Sequence, residues 1–505
     1  MKNEDKLLDA IGMIDEELIP EMPKAELSAK AADGKKASAK KSTKGRKAFW
    51  IEIGIAAAAV ILVVAIALPK VLYKKKNRAV KAEAVYPEMA KYPESVSPVF
   101  RGDDYDPDAY REQYEKWRAS RETFRNQPEG YADGFKKFLE KSTSTFAEEA
   151  GDENFVYSPL SLYLCMSIVA ESADGNTRQE ILDLLGVPDI ETLRATSKSL
   201  FLANYVDDGA GKCLLANSIW MNNRFDYKND TVERIATEYL ASVFSGDPED
   251  EKYIEEFRNW LNRQTDGLLT DYVDDLPMDK DLLLMVASTI NYNGKWGMRF
   301  HEDETKPGTF HAPAGDVTCD FMNMEYEKFD CHTGDGYTAI ELPVTGNGKM
   351  RLILPDKDTS AQNLLKDKDF MEFLNNSYTD GNVFGEAMVD LSLPKFDVSY
   401  KNDMIDELQK LGVHDAFDKD RGNFGSITDQ GPDDKIFVKK VEQDVRVMID
   451  EEGVKGAAIT VAMIVEQCAP SAKYTFVFDR PFIFEVFSDT GAPLFVGVVN
   501  DPTSK

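Results

Sequence analysis

Apolar positions in this chain change spacing along its length, and each change marks a different kind of element. From Ile53 to Pro69 they are continuous: IGIAAAAVILVVAIALP holds no charge, and with Phe49, Trp50 and Ile51 the run reaches 21 residues interrupted only by Glu52. A spanning helix needs about 17–25 residues. Trp50 and Tyr73 stand where interfacial aromatics belong, and lysine and arginine crowd both flanks. The pattern predicts a transmembrane helix over residues 48–69. A cleaved signal peptide is the alternative, since Ala65-Ile66-Ala67 resembles a small-residue cleavage site, but residues 1–47 form too long a polar leader. A small excess of basic residues before the run favours a cytoplasmic N-terminus.

Further on the spacing becomes helical. Tyr110, Tyr114, Trp117 and Phe124 fall near one face of PDAYREQYEKWRASRETFRNQ, and Phe135, Phe138, Leu139 and Phe146 near one face of GFKKFLEKSTSTFAEEA. SPLSLYLCMSIVAESADGNTRQEILDLLGV predicts a helical apolar run with Ser158 as its cap and Pro159 in its first turn. DIETLRATSKSLFLANYV and YIEEFRNWLNRQTDGLL predict two more helices, the second ending at Gly267. Strand patterns follow in DLLLMVASTINYN, MRLILP, MVDLSLPKFDVSY, VRVMID, YTFVFDRPFIFEVF and PLFVGVVN. Helices in front and strands behind indicate an α+β fold.

Composition sharpens the division. Residues 1–100 hold 18 Lys and Arg against 13 Asp and Glu, a net of +5 that leaves −34 of the total −29 to the rest. The resulting organisation is a disordered basic cytoplasmic tail over 1–47, the transmembrane helix over 48–69, a juxtamembrane stalk or N-terminal cover over 70–130, and one large domain over 131–505. So acidic a domain excludes nucleic acid as a main partner, because phosphate binding needs a positive face. The five cysteines, Cys165, Cys213, Cys319, Cys331 and Cys468, are odd in number and lack a CxxC pair, which excludes a disulfide scaffold and a structural zinc site. No metal or other cofactor is expected.

Catalytic signatures are missing too. The chain has no GxSxG, HExxH or GxGxxG. GAGKC at 209–213 lacks the earlier glycine and final Ser or Thr of a phosphate loop. The stretch from Asp418 has Asn423 and Asp429 where a calcium loop needs Gly and Glu. No enzyme is indicated.

One segment is unlike an ordinary hairpin loop. EEGVKGAAITVAMIVEQCAPSAK runs uncharged from Gly456 to Val465, and its alternate positions Val454, Gly456, Ala458, Thr460, Ala462 and Ile464 are small or apolar throughout. Such a segment can slide between two strands and bury that face. A buried strand followed by a turn fits the periodicity equally well.

Separate motifs in a consistent order resemble the serpin family over residues 130–505. They are NFVYSPLSLYLCMSIVAESADGNTRQEILDLLG, LLANSIWMNNRF, INYNGKWGMRF, LPKFDVSY and RPFIFEVFSDTGAPLFVGVVNDP. The resemblance implies three β-sheets with eight to nine helices and an exposed reactive loop, here behind a single transmembrane helix, as in a membrane-anchored bacterial-type member. It also implies a suicide-substrate inhibitor, in which the protease cleaves the loop, is held as an acyl-enzyme, and is trapped as the loop inserts into the large sheet. The implied hinge comprises Glu451, Gly453, Val454, Gly456, Ala457, Ala458 and Thr460, with Lys455 where an acid is commoner. Family spacing puts the reactive bond between Gln467 and Cys468. Ser158 and Ser161 match the region where the sheet opens, Trp296 matches the tryptophan at its top, and Ser288 and Gln443 replace the commoner Asn and His.

These features imply a monomer that acts outside the cell on a serine or cysteine protease and is held to the cell membrane by one N-terminal helix. The alternative is a non-inhibitory serpin serving as a surface-displayed binding module, and a third reading is an adhesion protein whose loop is merely a ligand. No basic helix stands out, so polyanion activation is not expected.

Overall fold

The structure is a computed structural model that describes residues 80–93, 107–148, 151–267, 284–345, 348–375, 385–429, 436–454 and 473–504. The apolar run at 48–69 lies outside them; among the described residues no helix is long and apolar enough to cross a membrane.

The chain opens with β1 (Val80–Ala82), α1 (Pro107–Arg125), α2 (Asp133–Ala147) and β2 (Phe155–Tyr157). The apolar run after Ser158 is two helices, α3 (Pro159–Ser172) and α4 (Gly175–Leu184). Ser158 caps the first by accepting the Ser161 N–H, with Pro159 at its start. Asp174 breaks the run because its carboxylate accepts the Gly175 N–H and starts a new helix. Then come α5 (Ile190–Asn204), β3 (Val206–Asp207), β4 (Lys212–Asn222), α6 (Asn229–Glu238), β5 (Ala241–Gly246), α7 (Glu251–Gln264) and β6 (Leu284–Lys295). A strand-rich stretch follows, with β7 (Lys306–Ala312), β8 (Gly315–Gly334), β9 (Tyr337–Val344) and β10 (Gly348–Pro355). Short helices α8 (Ala361–Leu364) and α9 (Lys368–Asn375) precede β11 (Gly385–Pro394), β12 (Phe396–Asp403) and α10 (Ile405–Lys410). The chain ends in β13 (Glu442–Ile449), β14 (Gly453–Val454), β15 (Lys473–Val477), β16 (Phe482–Phe487) and β17 (Pro493–Val499).

Two sheets organise these elements. The first has the order β1-β5-β4-β6-β14-β13-β12, with β3 beside β4. The second has the order β15-β11-β8-β9-β10-β16-β17-β2, with β7 on β8. The expectation of three sheets and eight to nine helices is thus corrected to two connected sheets and ten α-helices among the described residues. The physical reason is β8: its 20 residues run unbroken past β7 and β11 and on to β9, so strands that separate sheets would hold share one ladder. MVDLSLPKFDVSY, in contrast, is two strands. Lys395 sits outside both ladders, and the chain passes there from the second sheet into the first.

The core lies between the sheets. Helix α3 is buried at every position but Cys165, as expected of a helix apolar all round, and packs against β6 and β17. A smaller cluster covers the outer face of the large sheet, where Trp220 stacks on Phe244 at 3.9 Å under Phe257 and Trp260 of α7. In the second sheet Arg351, 1% exposed, binds Glu341 at 2.9 Å and Glu485 at 3.1 Å. Replacing Arg351 by Met leaves both carboxylates without their guanidinium, and a loss of about 3–5 kcal/mol is expected in denaturant unfolding.

Candidate functional site

The large sheet carries an unusual join. β4 and β6 pair along almost their whole length, from Lys212↔Asn293 to Met221↔Leu284, and β12 pairs with β13 from Phe396↔Ile449 to Asp403↔Glu442. Among the described residues only β14 stands between these two halves, and its Val454 faces Gly294 of β6 and Ile449 of β13. β14 is antiparallel to both neighbours. It therefore has the direction and place of a strand that has begun to insert.

Local chemistry explains the seat. The turn from β13 into β14 is organised by Asp450, whose carboxylate accepts the N–H groups of Glu452 at 2.9 Å and Gly453 at 3.2 Å. Gly453 has no alternative, because a Cβ there would lie 2.2 Å from the Gly294 carbonyl oxygen. Trp296, 3% exposed, holds the turn with both its N–H groups: the backbone N–H donates to Glu452 O at 3.1 Å and Nε1–H to Asp450 O at 2.7 Å. Val454 is 4% exposed and belongs to the main core.

Glu451 anchors the turn from the side. Lys395 Nζ donates to its carboxylate at 2.9 and 3.2 Å, and Thr305 Oγ1 donates at 2.8 Å. Burial alone would raise this carboxyl, but the hydrogen bonds from Lys395 and Thr305 outweigh it and hold the group below its ordinary value. Arg299 pairs with Glu452 at 3.2 Å in a more exposed position.

A second group lies farther down the sheet, where α3 begins beneath it. The Gln443 side chain on β13 accepts the Ser158 N–H at 2.9 Å and donates to Ser158 O at 3.0 Å. The Ser161 hydroxyl reaches Ser288 on β6, at 3.0 Å from its Oγ and 3.2 Å from its carbonyl. One helix N-terminus thus ties both sides of the join. The structure brings together Ser158, Ser161, Ser288 and Gln443 in one hydrogen-bonded group.

Trp296 does not belong with those four. It lies eight residues beyond Ser288, about 26 Å along an extended chain, and serves the hinge instead. Of the expected hinge residues, Glu451, Gly453 and Val454 are in place, whereas Gly456, Ala457, Ala458, Thr460, Gln467 and Cys468 lie outside the described residues. Lys395, Thr305 and Asp450 were not anticipated. A lysine breaking an otherwise strand-like run was a usable signal for the first; Thr305 and Asp450 carried none.

The comparisons agree with this geometry. The family profile described as Serpin (serine protease inhibitor) matches residues 135–502. Serpin-ZXA of Oryza sativa is 28% identical over 380 residues, covering 72% of this chain and 94% of the relative. A serpin-like protein of Methanosarcina acetivorans is 26% identical over 360 residues, covering 70% and 82%. Among solved structures, the thermophilic serpin tengpin in its native state superposes with TM-score 0.64 at 25% identity, over 74% of this chain and 95% of that one. Arabidopsis AtSerpin1 in its native stressed conformation gives 0.62 at 23%, over 74% and 98%.

Two outcomes are expected from these contacts. Because the Glu451 carboxyl is held below its unfolded value, its anchoring is fully present above the ordinary carboxylate range and is lost as pH falls through the lowered value. Amide exchange at Gly453 and Val454, corrected for intrinsic rates, should therefore rise on acidification, and Glu451→Gln should be loose at every pH. Gln443→Ala strands the buried N–H of Ser158 at about 1–3 kcal/mol, while the Ser158 carbonyl keeps the Leu162 N–H, and Ser288→Ala costs about 1 kcal/mol, both read from denaturant midpoints.

Proposed function

This chain belongs to the serpin family of serine protease inhibitors, and from that premise we propose that it is a suicide-substrate inhibitor that traps its target by inserting the cleaved loop between β6 and β13. The observation that supports the reading most directly is the seating of β14: two hinge residues already lie between the strands, antiparallel to both, with Val454 turned into the core. The residues that follow alternate small or apolar with outward positions, so each added pair can repeat what Val454 does.

The energetics favour completion once the loop is cut. About ten further ladder hydrogen bonds, at about 1 kcal/mol each, and burial of the inward set together release on the order of 10 kcal/mol or more. Cleavage between Gln467 and Cys468 frees the strand, and the acylated protease travels with it. Glutamine on the acyl side does not suit a trypsin-like pocket, so the target is a serine or cysteine protease of other specificity. The inhibitor acts as a monomer. It is tethered by residues 48–69, with the large domain outside the cell and residues 1–47 in the cytoplasm.

The decisive variant is Val454→Arg. It places a charge where Val454 is buried, costing several kcal/mol unless the strand stays out. Wild type run on denaturing gels against a protease panel should give a covalent complex. Val454→Arg should be cleaved at the same bond while releasing active protease, and Lys455→Glu, on the outward set, should behave as wild type. Clean cleavage of the wild type with every protease supports the alternative, a surface-displayed binding module. Protease shaving of intact cells should release the large domain; digestion of residues 1–47 with the domain protected contradicts the orientation.

A further inference from the structure

Helix α1 lies ahead of residues 135–502, the stretch that the family profile matches, so what it builds against the domain is a feature of this chain. Of the two expectations for residues 70–130, stalk or cover, α1 answers to a cover. Tyr114, Trp117, Arg118, Arg121, Glu122 and Arg125 recur every three or four positions and therefore share one side of the helix. Two of them anchor it. Trp117 Nε1–H donates to Asp208 at 2.7 Å, in the turn between β3 and β4. Arg121, 7% exposed, reaches Asp208 at 3.2 Å and also Asp489, in the turn between β16 and β17.

Beside these anchors the helix and the second sheet stand apart. The gap is a cavity of about 740 Å³. Its far wall is made of Pro343 and Val344 at the end of β9, Lys349 at the start of β10, and the turn at residues 488–491. Cavities that hold a drug-sized molecule run to about 300–1,000 Å³, and a bare phosphate or sulfate would leave most of this one empty.

Three cations line the cavity with donors to spare. Among the described residues Arg118 gives its Nε–H to Glu122 at 3.0 Å, which leaves both its Nη groups. Arg125 meets Asp489 at the carbonyl through Nη2 at 3.4 Å and at the carboxylate through Nε at 3.7 Å, which leaves Nη1. Lys349 Nζ gives one of its three hydrogens to Glu341 at 2.7 Å. Rings stand beside these charges. Tyr114 and Trp117 have centroids 5.2 Å apart, braced by Tyr92 at 4.8 Å from Trp117 and Tyr110 at 6.4 Å from Tyr114. Tyr114 keeps 37% of its surface exposed, so ring surface remains for a guest.

Charge decides among the occupants. A cationic guest is opposed by Arg118, Arg125 and Lys349. A long polyanion would run on from the cavity across a chain of formal net charge −29, which repels it. A small anion meets chiefly the cations within a Debye length, about 8–10 Å, and these line the cavity.

We propose that the cavity between α1 and the turns of the second sheet binds a small organic anion that carries a flat ring. Arg118, Arg125 and Lys349 take its charge, and Tyr114 and Trp117 take its ring. Stacking of this kind is tolerant of the ring's identity, because every aromatic ring has a π-face. The site uses neither the join in the large sheet nor the loop, so it stands whether or not the chain traps a protease.

The test is equilibrium dialysis of the full chain against two flat-ringed anions, adenosine monophosphate and indoleacetate. Adenosine supplies the ring without the charge, and inorganic phosphate the charge without the ring. At least one of the two ring-bearing anions should bind with Kd below about 1 mM, and about tenfold more tightly than adenosine or phosphate. Arg118→Ala, Arg125→Ala and Tyr114→Ala, all at exposed positions, should each weaken it about threefold to tenfold with the thermal midpoint unchanged. Arg111→Ala, on the same helix but outside the cavity, should leave the affinity as it is. Absence of binding by both anions up to about 1 mM, equal binding of adenosine or phosphate, or an affinity unmoved by all three substitutions overturns the site.

Discussion

In the strand order of the large sheet, β6 and β13 are joined through two residues, Gly453 and Val454. A sheet gains by pairing every backbone group it can, and beyond Val454 no described strand pairs with the facing edges of β6 and β13. Several contacts fix the residues around this join. Trp296 and Asp450 fix the turn, Lys395 and Thr305 fix Glu451, and Ser158 and Ser161 hold β13 and β6 to one helix N-terminus. These contacts are short and directional, and each touches only a few residues. They hold the turn, Glu451 and the start of α3 in place without burying much further surface.

The two tethered levels have different physical characters. The hinge is held by charge, so its strength depends on the ionisation of Glu451. The middle network is neutral, built from a glutamine on β13, a serine pair that links α3 to β6 and the cap of α3. Gln443 uses both ends of its amide on the backbone of Ser158, which a ring with one acceptor and one donor nitrogen meets only in a single tautomer. The network here is therefore insensitive to pH in the range where imidazole titrates.

Much of this was legible in the sequence, for identifiable reasons. Ser158-Pro159 announced the start of α3 because a cap and a first-turn proline are local chemistry. β6, β10, β13 and β17 followed from apolar runs bounded by turn residues. The alternation at Val454 placed its side chain inward, as observed. The failures were non-local. β8, at 20 residues, alternates poorly because it crosses from one set of partners to another. The splitting of one apolar run into α3 and α4 turned on a single aspartate, and the separation of β11 from β12 on a single lysine. Lys395 meets Glu451 across 56 positions, and Arg121 meets Asp489 across 368, distances at which no spacing rule operates.

On the insertion reading proposed above, the described fold is not the most stable arrangement of this chain once the loop is cut. The direct measurement is the thermal midpoint of the purified protein before and after limited proteolysis between Ile464 and Cys468. Loop insertion predicts that the nicked protein melts at a clearly higher temperature than the intact one, since the freed strand fills the place between β6 and β13. An unchanged or lowered midpoint, which is what a nick does to an ordinary domain, contradicts the account.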